Sequence, residues 1–181
     1  MKIVIAHGMD VSIPCGGTNR VVAFVKSLYD NGFDVELVVP KPVRKFPKDL
    51  QDVKIHTVPV KERAIIDKMA RALLVSLKAK RIAKKDGSIL QIEHTTLAGF
   101  ATLVGCSNYI LDMHDLAHVS PTYLDLPLSK IVQKFIYNME QKAVSNASKI
   151  IVVSDAMKDF IIDEWGVPKG KIEVIPNGVR N

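Results

Sequence analysis

Two adjacent glycines near the start of the chain are the first candidates for ligand chemistry. Gly16 and Gly17 follow Pro14 and directly precede a helical pattern that we expect to begin near Thr18. Glycine lets a backbone approach a ligand closely, and a helix N-terminus presents unpaired amides and a positive dipole end to an anion. The pair therefore predicts a phosphate-binding turn or, alternatively, a glycine turn that feeds a helix without any ligand. Its spacing matches neither the GxGxxG dinucleotide fingerprint nor the phosphate loop of nucleotide hydrolases.

Histidines and carboxylates follow two later apolar runs. His114 and Asp115 come directly after "ILDM", and Glu93 and His94 come at the end of "ILQIEH". Histidine can donate a hydrogen bond to an anion near neutral pH, so His114 is a candidate catalytic residue and Asp115 a weaker one. Alternatively, His114 satisfies loop carbonyls and Glu93 pairs with a basic neighbour. Because no cluster has metal-ligand spacing, we predict no metal site.

Strand and helix patterns alternate along the sequence, and the fold that they predict would bring these residues close together. Short apolar runs rich in Val and Ile are typical of strands that are buried on both faces. The strand candidates are Lys2–Ala6, Asp34–Val39, Val53–Val58, Ser88–Ile92, Tyr109–Asp112, Lys149–Val153 and Lys171–Ile175. The helix candidates between most of them are Thr18–Asn31, Glu62–Lys85, Leu97–Gly105, Ser129–Ser145 and Asp155–Trp165.

This pattern predicts an α/β fold with a Rossmann-like, doubly wound parallel sheet of about seven strands and helices on both faces. Such sheets bind ligands beyond the carboxyl ends of their strands, where the strand order reverses. A strand order of 3-2-1-4-5-6-7 would bring together the loop His7–Gly17, the step Glu93–Thr96 and the loop that contains His114.

Size and composition indicate one globular domain. The chain has 181 residues, of which 48% are hydrophobic, and a formal net charge of +6. This charge favours anionic partners such as phosphates or lipid headgroups. No apolar stretch is long enough to span a bilayer. Cys15 and Cys106 lie far apart, so we expect free thiols in a reducing cytosol.

The segment Lys61–Lys85 is the most basic part of the sequence. Arg71, Lys78, Arg81 and Lys85 recur on one side at helical spacing. Such a run is typical of a solvated helix face, and it also suggests peripheral docking on an anionic membrane surface. Aromatic residues are not interleaved with these charges, which argues against nucleic-acid binding.

Four stretches in register resemble the amino-terminal half of family 4 glycosyltransferases. They are "P-x-GG" with the following "VVAFVKSLYDNGFDVELVV", then "ILDMHD" (Ile110–Asp115), "IIVVSDAMKDFI" (Ile150–Ile161) and "IEVIPNGVRN" (Ile172–Asn181). The resemblance implies the GT-B architecture of two facing Rossmann-like domains and a retaining reaction. Residues 1–175 would then form the acceptor-binding domain. Residues 176–181 would begin the crossover to a donor-binding domain outside this sequence.

The resemblance also implies roles for the candidate residues. Gly16 and Gly17 would contact the diphosphate of a nucleotide-sugar donor, and His114 would contact the transferred sugar. Glu93 and His94 would bind a sugar or lipid-linked acceptor. No cofactor is implied, and we expect a cytoplasmic protein, in peripheral contact with the membrane if the basic segment docks there.

A chain that holds only the acceptor side should turn over poorly by itself. Two other interpretations stay open from the sequence. One is a stand-alone acceptor-binding or membrane-recruiting subunit of a two-chain glycosyltransferase, and the other is an unrelated α/β phosphate-binding module.

Overall fold

A computed structural model describes residues 1–59, 65–120 and 129–178 of the chain. Its strands are β1 (Lys2–Ala6), β2 (Asp34–Pro40), β3 (Lys54–Val58), β4 (Ile89–Glu93), β5 (Tyr109–Met113), β6 (Ala147–Val152) and β7 (Ile172–Val174). Its α-helices are α1 (Gly16–Asp30), α2 (Ile65–Asp86), α3 (Thr95–Leu103), α4 (Ser129–Asn146) and α5 (Asp155–Trp165). Short 3-10 helices cover Lys48–Leu50, Ala117–Val119 and Lys169–Lys171.

The strands form one seven-stranded sheet in the order β3-β2-β1-β4-β5-β6-β7. Every neighbouring pair is parallel, so the predicted doubly wound, Rossmann-like fold is confirmed. The register places Ala6 beside Ile92 and Glu93 beside Asp112. The carboxyl ends of β1, β4 and β5 therefore share one edge, on either side of the point where the strand order reverses.

The sheet separates two apolar cores. Ile5 and Leu37 pack with Val21 of α1 on one face, and Val4 packs with the cluster that contains Ala98 of α3 on the other. Helices α2, α3 and α4 lie side by side on this second face. Because both faces are covered, the strands carry nearly continuous apolar runs instead of an alternating pattern.

Helix α1 begins at Gly16, ahead of the predicted start at Thr18. Cys15 has the extended backbone of an N-cap residue. The Thr18 hydroxyl accepts a hydrogen bond from the Cys15 amide at 2.8 Å and donates one to the carbonyl of Ile13 at 2.8 Å. The glycine pair therefore forms the first turn of the helix, where amides lack carbonyl partners within the helix.

The predicted basic stripe of α2 is not a continuous solvated face. Arg71 is buried, and the ammonium of Lys78 donates to the carbonyl of Thr57 at 2.8 Å. Arg81 and Lys85 are exposed, as predicted. The helix faces its basic side partly toward the sheet because long lysine and arginine stems can reach carbonyl or carboxylate partners there. The start of the basic segment, residues 61–64, lies outside the described residues.

Candidate active site

His114 lies at the carboxyl edge of the sheet, directly after β5, and packs against the first turn of α1. A Cβ atom on Gly17 would lie 3.4 Å from Nδ1 of His114 and 3.0 Å from Cε of Met9. A Cβ atom on Gly16 would meet nothing within 4 Å. The two predicted glycines thus differ, because only Gly17 is needed for the close approach between α1 and His114.

The Nε2 atom of His114 faces two buried carboxylates. Oε2 of Glu93 lies 3.1 Å away and Oδ2 of Asp112 lies 3.5 Å away. Burial by itself would lower the pKa of His114, but the hydrogen bonds and charges of Asp112 and Glu93 outweigh it and raise the pKa to about 9. His114 is therefore an imidazolium at neutral pH, and its Nδ1 carries a proton on the side of Gly17.

Arg20 of α1 holds Asp112 from the other side. Its Nε and Nη2 donate to the two carboxylate oxygens of Asp112 at 2.9 and 3.0 Å. Burial would raise the pKa of Asp112, but the bonds from His114 and Arg20 hold it below its usual range. Nη1 of Arg20 also donates to Oδ1 of Asn177 at 3.0 Å and to the carbonyl of Pro176 at 3.4 Å. One side chain thus joins α1, β5 and the segment after β7.

Glu93 lies beneath His114 and has no exposed surface. Its Oε1 accepts a hydrogen bond from the side-chain amide of Gln91 at 2.7 Å. Burial and the charge of Asp112 raise the pKa of Glu93, and they outweigh the hydrogen bond to His114, which lowers it. Glu93 therefore faces His114 and not solvent. Ligand atoms of Glu93, Asp112 and His114 lie close enough together to hold a metal ion, but they already satisfy one another, Arg20 and Gln91.

His94 and Asp115 form a second pair at the rim. Nε2 of His94 lies 2.9 Å from Oδ1 of Asp115, and the two side chains are 29% and 61% exposed. The hydrogen bond from His94 lowers the pKa of Asp115. His94 has a φ of +78°, which is costly for a residue with a Cβ, and its Nδ1 accepts the Thr96 amide at 3.4 Å to cap α3. Among the predicted histidines and carboxylates, these two have the most exposed side chains.

His7 is fully buried at the end of β1 and is not among the predicted site residues. Burial, followed by the nearby charges of His114, His94 and Arg71, lowers its pKa to about 3. Within the described residues, neither ring nitrogen of His7 has a hydrogen-bond partner. A neutral imidazole thus lies within electrostatic range of the charged one.

An open cleft of about 600 Å³ adjoins the start of α1. One wall is α1, and the other is the chain segment from Ile175 to Gly178. The residues that line it are Gly16, Asn19, Arg20, Ala23, Phe24, Ser27, Leu28, Ile175, Pro176, Asn177 and Gly178. Gly16 and Arg20 connect this cleft to the site around His114.

The arrangement can bind and stabilise negative charge. A buried imidazolium, held in place by two carboxylates, lies against a helix N-terminus that has no Cβ atoms in its first two residues. Both features attract an anion.

Sequence reasoning missed the residues that hold the site together. Arg20 and Asp112 each stand as a charged residue within an apolar pattern, and this is the signal that could have identified them. Glu140 was missed as well: its buried carboxylate accepts hydrogen bonds from Thr95 at 2.6 Å and from the amides of Ala117 and His118 at 2.8 and 3.0 Å. These bonds fix the loop that follows His114.

The fold places the protein in the class of Rossmann-like, doubly wound α/β domains. Within this class, the chain belongs to Glycosyltransferase Family 4, whose family model matches residues 14–180. The resemblance seen in the sequence is therefore confirmed. Curated protein sequences give no significant match.

Solved structures with this fold include several glycosyltransferases. Sucrose-phosphate synthase from Thermosynechococcus elongatus has a TM-score of 0.70 at 15% identity, over 97% of this chain and 47% of that one. A glycosyltransferase from Rickettsia africae has a TM-score of 0.57 at 18% identity, over 98% and 43%. UDP-GlcNAc 2-epimerase from Methanocaldococcus jannaschii has a TM-score of 0.55 at 12% identity, over 98% and 46%. The chain thus spans less than half the length of each of these structures.

Proposed function

We propose that this domain is the acceptor side of a retaining glycosyltransferase that transfers a sugar from a nucleotide-diphosphate-sugar to a sugar or lipid-linked acceptor. The observation that carries the proposal is the contact between the His114 imidazolium and Gly17 at the N-terminus of α1. Family membership supports transferase chemistry. No cofactor is part of the proposed reaction.

The proposed catalysis is electrostatic. When the bond between the sugar and the diphosphate breaks, negative charge grows on the leaving diphosphate. The amides of Gly16 and Gly17 and the Nδ1–H of His114 would interact with this charge more strongly in the transition state than in the ground state, which lowers the barrier. His114 would also contact the transferred sugar, as the family resemblance implies.

The carboxylates take different roles in this proposal. Glu93 and Asp112 position His114 and keep it protonated, since both are buried against its Nε2. The acceptor role that the sequence suggested for Glu93 and His94 falls to His94 and its partner Asp115, which are exposed at the rim. Asp115 was predicted as catalytic and would act here by contact with the acceptor.

The domain is expected to be incomplete as a catalyst. Residues 1–175 form the proposed acceptor domain, and residues 176–181 begin the proposed crossover to a donor-binding domain. This boundary is supported by the cleft at Ile175–Gly178, which lies beside Gly16. We place the protein in the cytoplasm, at the inner face of a membrane when its acceptor is lipid-linked.

The test compares this 181-residue chain with a version extended into a donor domain. We expect weak nucleotide-sugar binding and negligible transfer by the short chain, and transfer by the extended one across a panel of nucleotide-sugars and acceptors. His114→Gln in the extended enzyme should reduce kcat by about 100-fold or more. Lys142→Gln, an exposed change on α4, is the matched control. Unchanged kcat in His114→Gln would remove His114 from catalysis, and efficient transfer by the short chain would refute the split site.

A further inference from the structure

Helix α2 buries small residues and exposes large apolar ones, which is the opposite of an ordinary surface helix. The side that packs into the core carries small residues: Ala72, Val75, Ser76, Ala79 and Ala83 are buried. Large apolar side chains point outward instead. Met69, Leu73, Leu74 and Leu77 are 45%, 38%, 41% and 45% exposed. A surface helix normally buries such residues against the domain, so the core does not explain this choice of side chains.

Toward the C-terminal end of α2, the same exposed face carries lysine and arginine side chains. Arg81, Lys84 and Lys85 are exposed and, together with Leu77 and Lys80, line one shallow depression. Among the described side chains of α2, from Asp67 to Lys85, every exposed one is apolar or cationic. The surface, which we name the α2 face, consists of Met69, Ala70, Leu73, Leu74, Leu77, Arg81, Lys84 and Lys85.

We propose that the α2 face docks on an anionic lipid bilayer, with Met69, Leu73, Leu74 and Leu77 inserted between headgroups and the cations on lipid phosphates. An interfacial helix combines an exposed apolar patch with lysine and arginine and needs no acidic residue. Anionic headgroups supply the charge that Arg81, Lys84 and Lys85 complement. None of the described helices has the length and apolarity of a membrane span.

The position of α2 agrees with this role. The helix connects β3 to β4, two parallel strands, and therefore starts at the carboxyl edge of the sheet, where His114 lies. Its apolar half is the half nearer that edge. The start of α2 at this edge would keep His114 and the membrane on the same end of the domain, although the docking itself does not depend on the proposed transferase function.

The test is co-sedimentation of the 181-residue chain with vesicles of phosphatidylcholine and of an equal mixture of phosphatidylcholine and phosphatidylglycerol. We expect binding to the mixed vesicles and little binding to phosphatidylcholine alone. Lys84→Gln with Lys85→Gln should weaken binding by about fivefold for each charge removed. Leu73→Gln with Leu77→Gln should weaken it by about tenfold or more.

Two matched controls distinguish an effect of the α2 face from a general effect of charge or hydrophobicity on vesicle binding. Lys142→Gln with Lys169→Gln removes the same charge from exposed sites on other elements. Ile131→Gln with Phe135→Gln removes exposed apolar side chains from α4. Both control pairs should bind like the unchanged chain, and circular dichroism should show that all variants are folded.

Three results would overturn the proposal. They are equal or negligible binding to the two kinds of vesicle, α2 variants that bind as well as the unchanged chain, and controls that lose binding as much as the α2 variants. A chain that does not bind vesicles but forms dimers, which Leu73→Gln with Leu77→Gln dissociates in light scattering, would instead identify the α2 face as a protein interface.

Discussion

At the scale of single residues, the protonation of His114 controls the site. Its neighbours Glu93 and Asp112 raise its pKa from the model-compound value of 6.5 to about 9. A group whose pKa is higher in the folded state stabilises the fold fully below its unfolded pKa, and this contribution is lost as the pH rises through the folded pKa. The stabilisation from His114 should therefore decline between pH 6.5 and about 9.

We expect this decline in urea unfolding experiments on the 181-residue chain and an NMR titration of the His114 ring near pH 9. Glu93→Gln removes one acceptor charge and should move the titration toward lower pH. His114→Gln should flatten the dependence of the free energy of unfolding on pH in this window. A His114 ring that titrates near 6.5 would contradict the proposed ion network.

The two glycines give a matched pair of substitutions. Gly17→Ala places a Cβ atom 3.0 Å from Met9 and 3.4 Å from His114, so Met9 must shift and His114 is crowded. We expect a loss of about 1–3 kcal/mol in the free energy of unfolding and a shifted His114 titration. Gly16→Ala meets open space and should change stability by less than about 1 kcal/mol. Equal effects in urea unfolding would show that the close approach is unimportant.

At the scale of elements, the N-terminus of α1 is the proposed anion site, and Cys15 reports on it. Burial would raise the pKa of Cys15, but the Thr18 hydroxyl and the amides of Thr18 and Gly17 lower it. We expect iodoacetamide to alkylate Cys15 faster than an unstructured thiol at neutral pH. Cys106 is buried and has a raised pKa, so it should not react in the folded chain and serves as an internal control.

Pyrophosphate should slow the alkylation of Cys15 if it occupies the same amides. Mass spectrometry of the two cysteines over time measures both rates in one sample. Sulfate at matched ionic strength controls for salt. A rate that pyrophosphate does not change would argue against diphosphate binding at this helix end.

The elements themselves were predictable because their signals are local. Strand Lys2–Ala6 and helix Asp155–Trp165 were predicted with the bounds that the structure shows. The signals are a continuous run of apolar residues in the strand, and the Ser154 N-cap and Gly166 at the two ends of the helix. The start of α1 was placed too late because a cysteine N-cap is not among the usual capping residues.

The hydrogen bonds and ion pairs around His114 could not be predicted from local sequence signals. Arg20 and Asp112 are 92 positions apart, so nothing local connects them, and only the sheet order brings them together. The predicted strand order does bring Glu93 close to His114. Glu93 was expected to bind the acceptor, however, and the structure buries its side chain completely. Whether a polar residue at a strand end is buried or exposed depends on those distant contacts.

At the scale of the whole molecule, Arg20 joins the site to the segment that leads out of the domain. Its guanidinium holds buried Asp112 and, through Nη1, the Pro176–Asn177 segment. Removal of one partner from a buried ion pair leaves an uncompensated charge. Arg20→Met should therefore lower the free energy of unfolding by about 3–5 kcal/mol. Lys26→Met, an exposed change on the same helix, should have little effect.

Asn177→Ala separates the two functions of Arg20, because it removes the contact at 3.0 Å to Nη1 and leaves the bonds to Asp112 intact. We expect the free energy of unfolding to change by less than about 1 kcal/mol, while the amide of Ile175, which donates to the carbonyl of Val152 at 2.8 Å, exchanges faster with solvent. The carbonyl of Pro176 is a weaker acceptor at 3.4 Å and should not replace the lost contact. Hydrogen exchange followed by NMR, with urea unfolding in parallel, measures both effects. If Asn177→Ala destabilises the chain as much as Arg20→Met, the segment is part of the core rather than a separately held crossover. Unchanged exchange at Ile175 would mean that Arg20 does not restrain the segment.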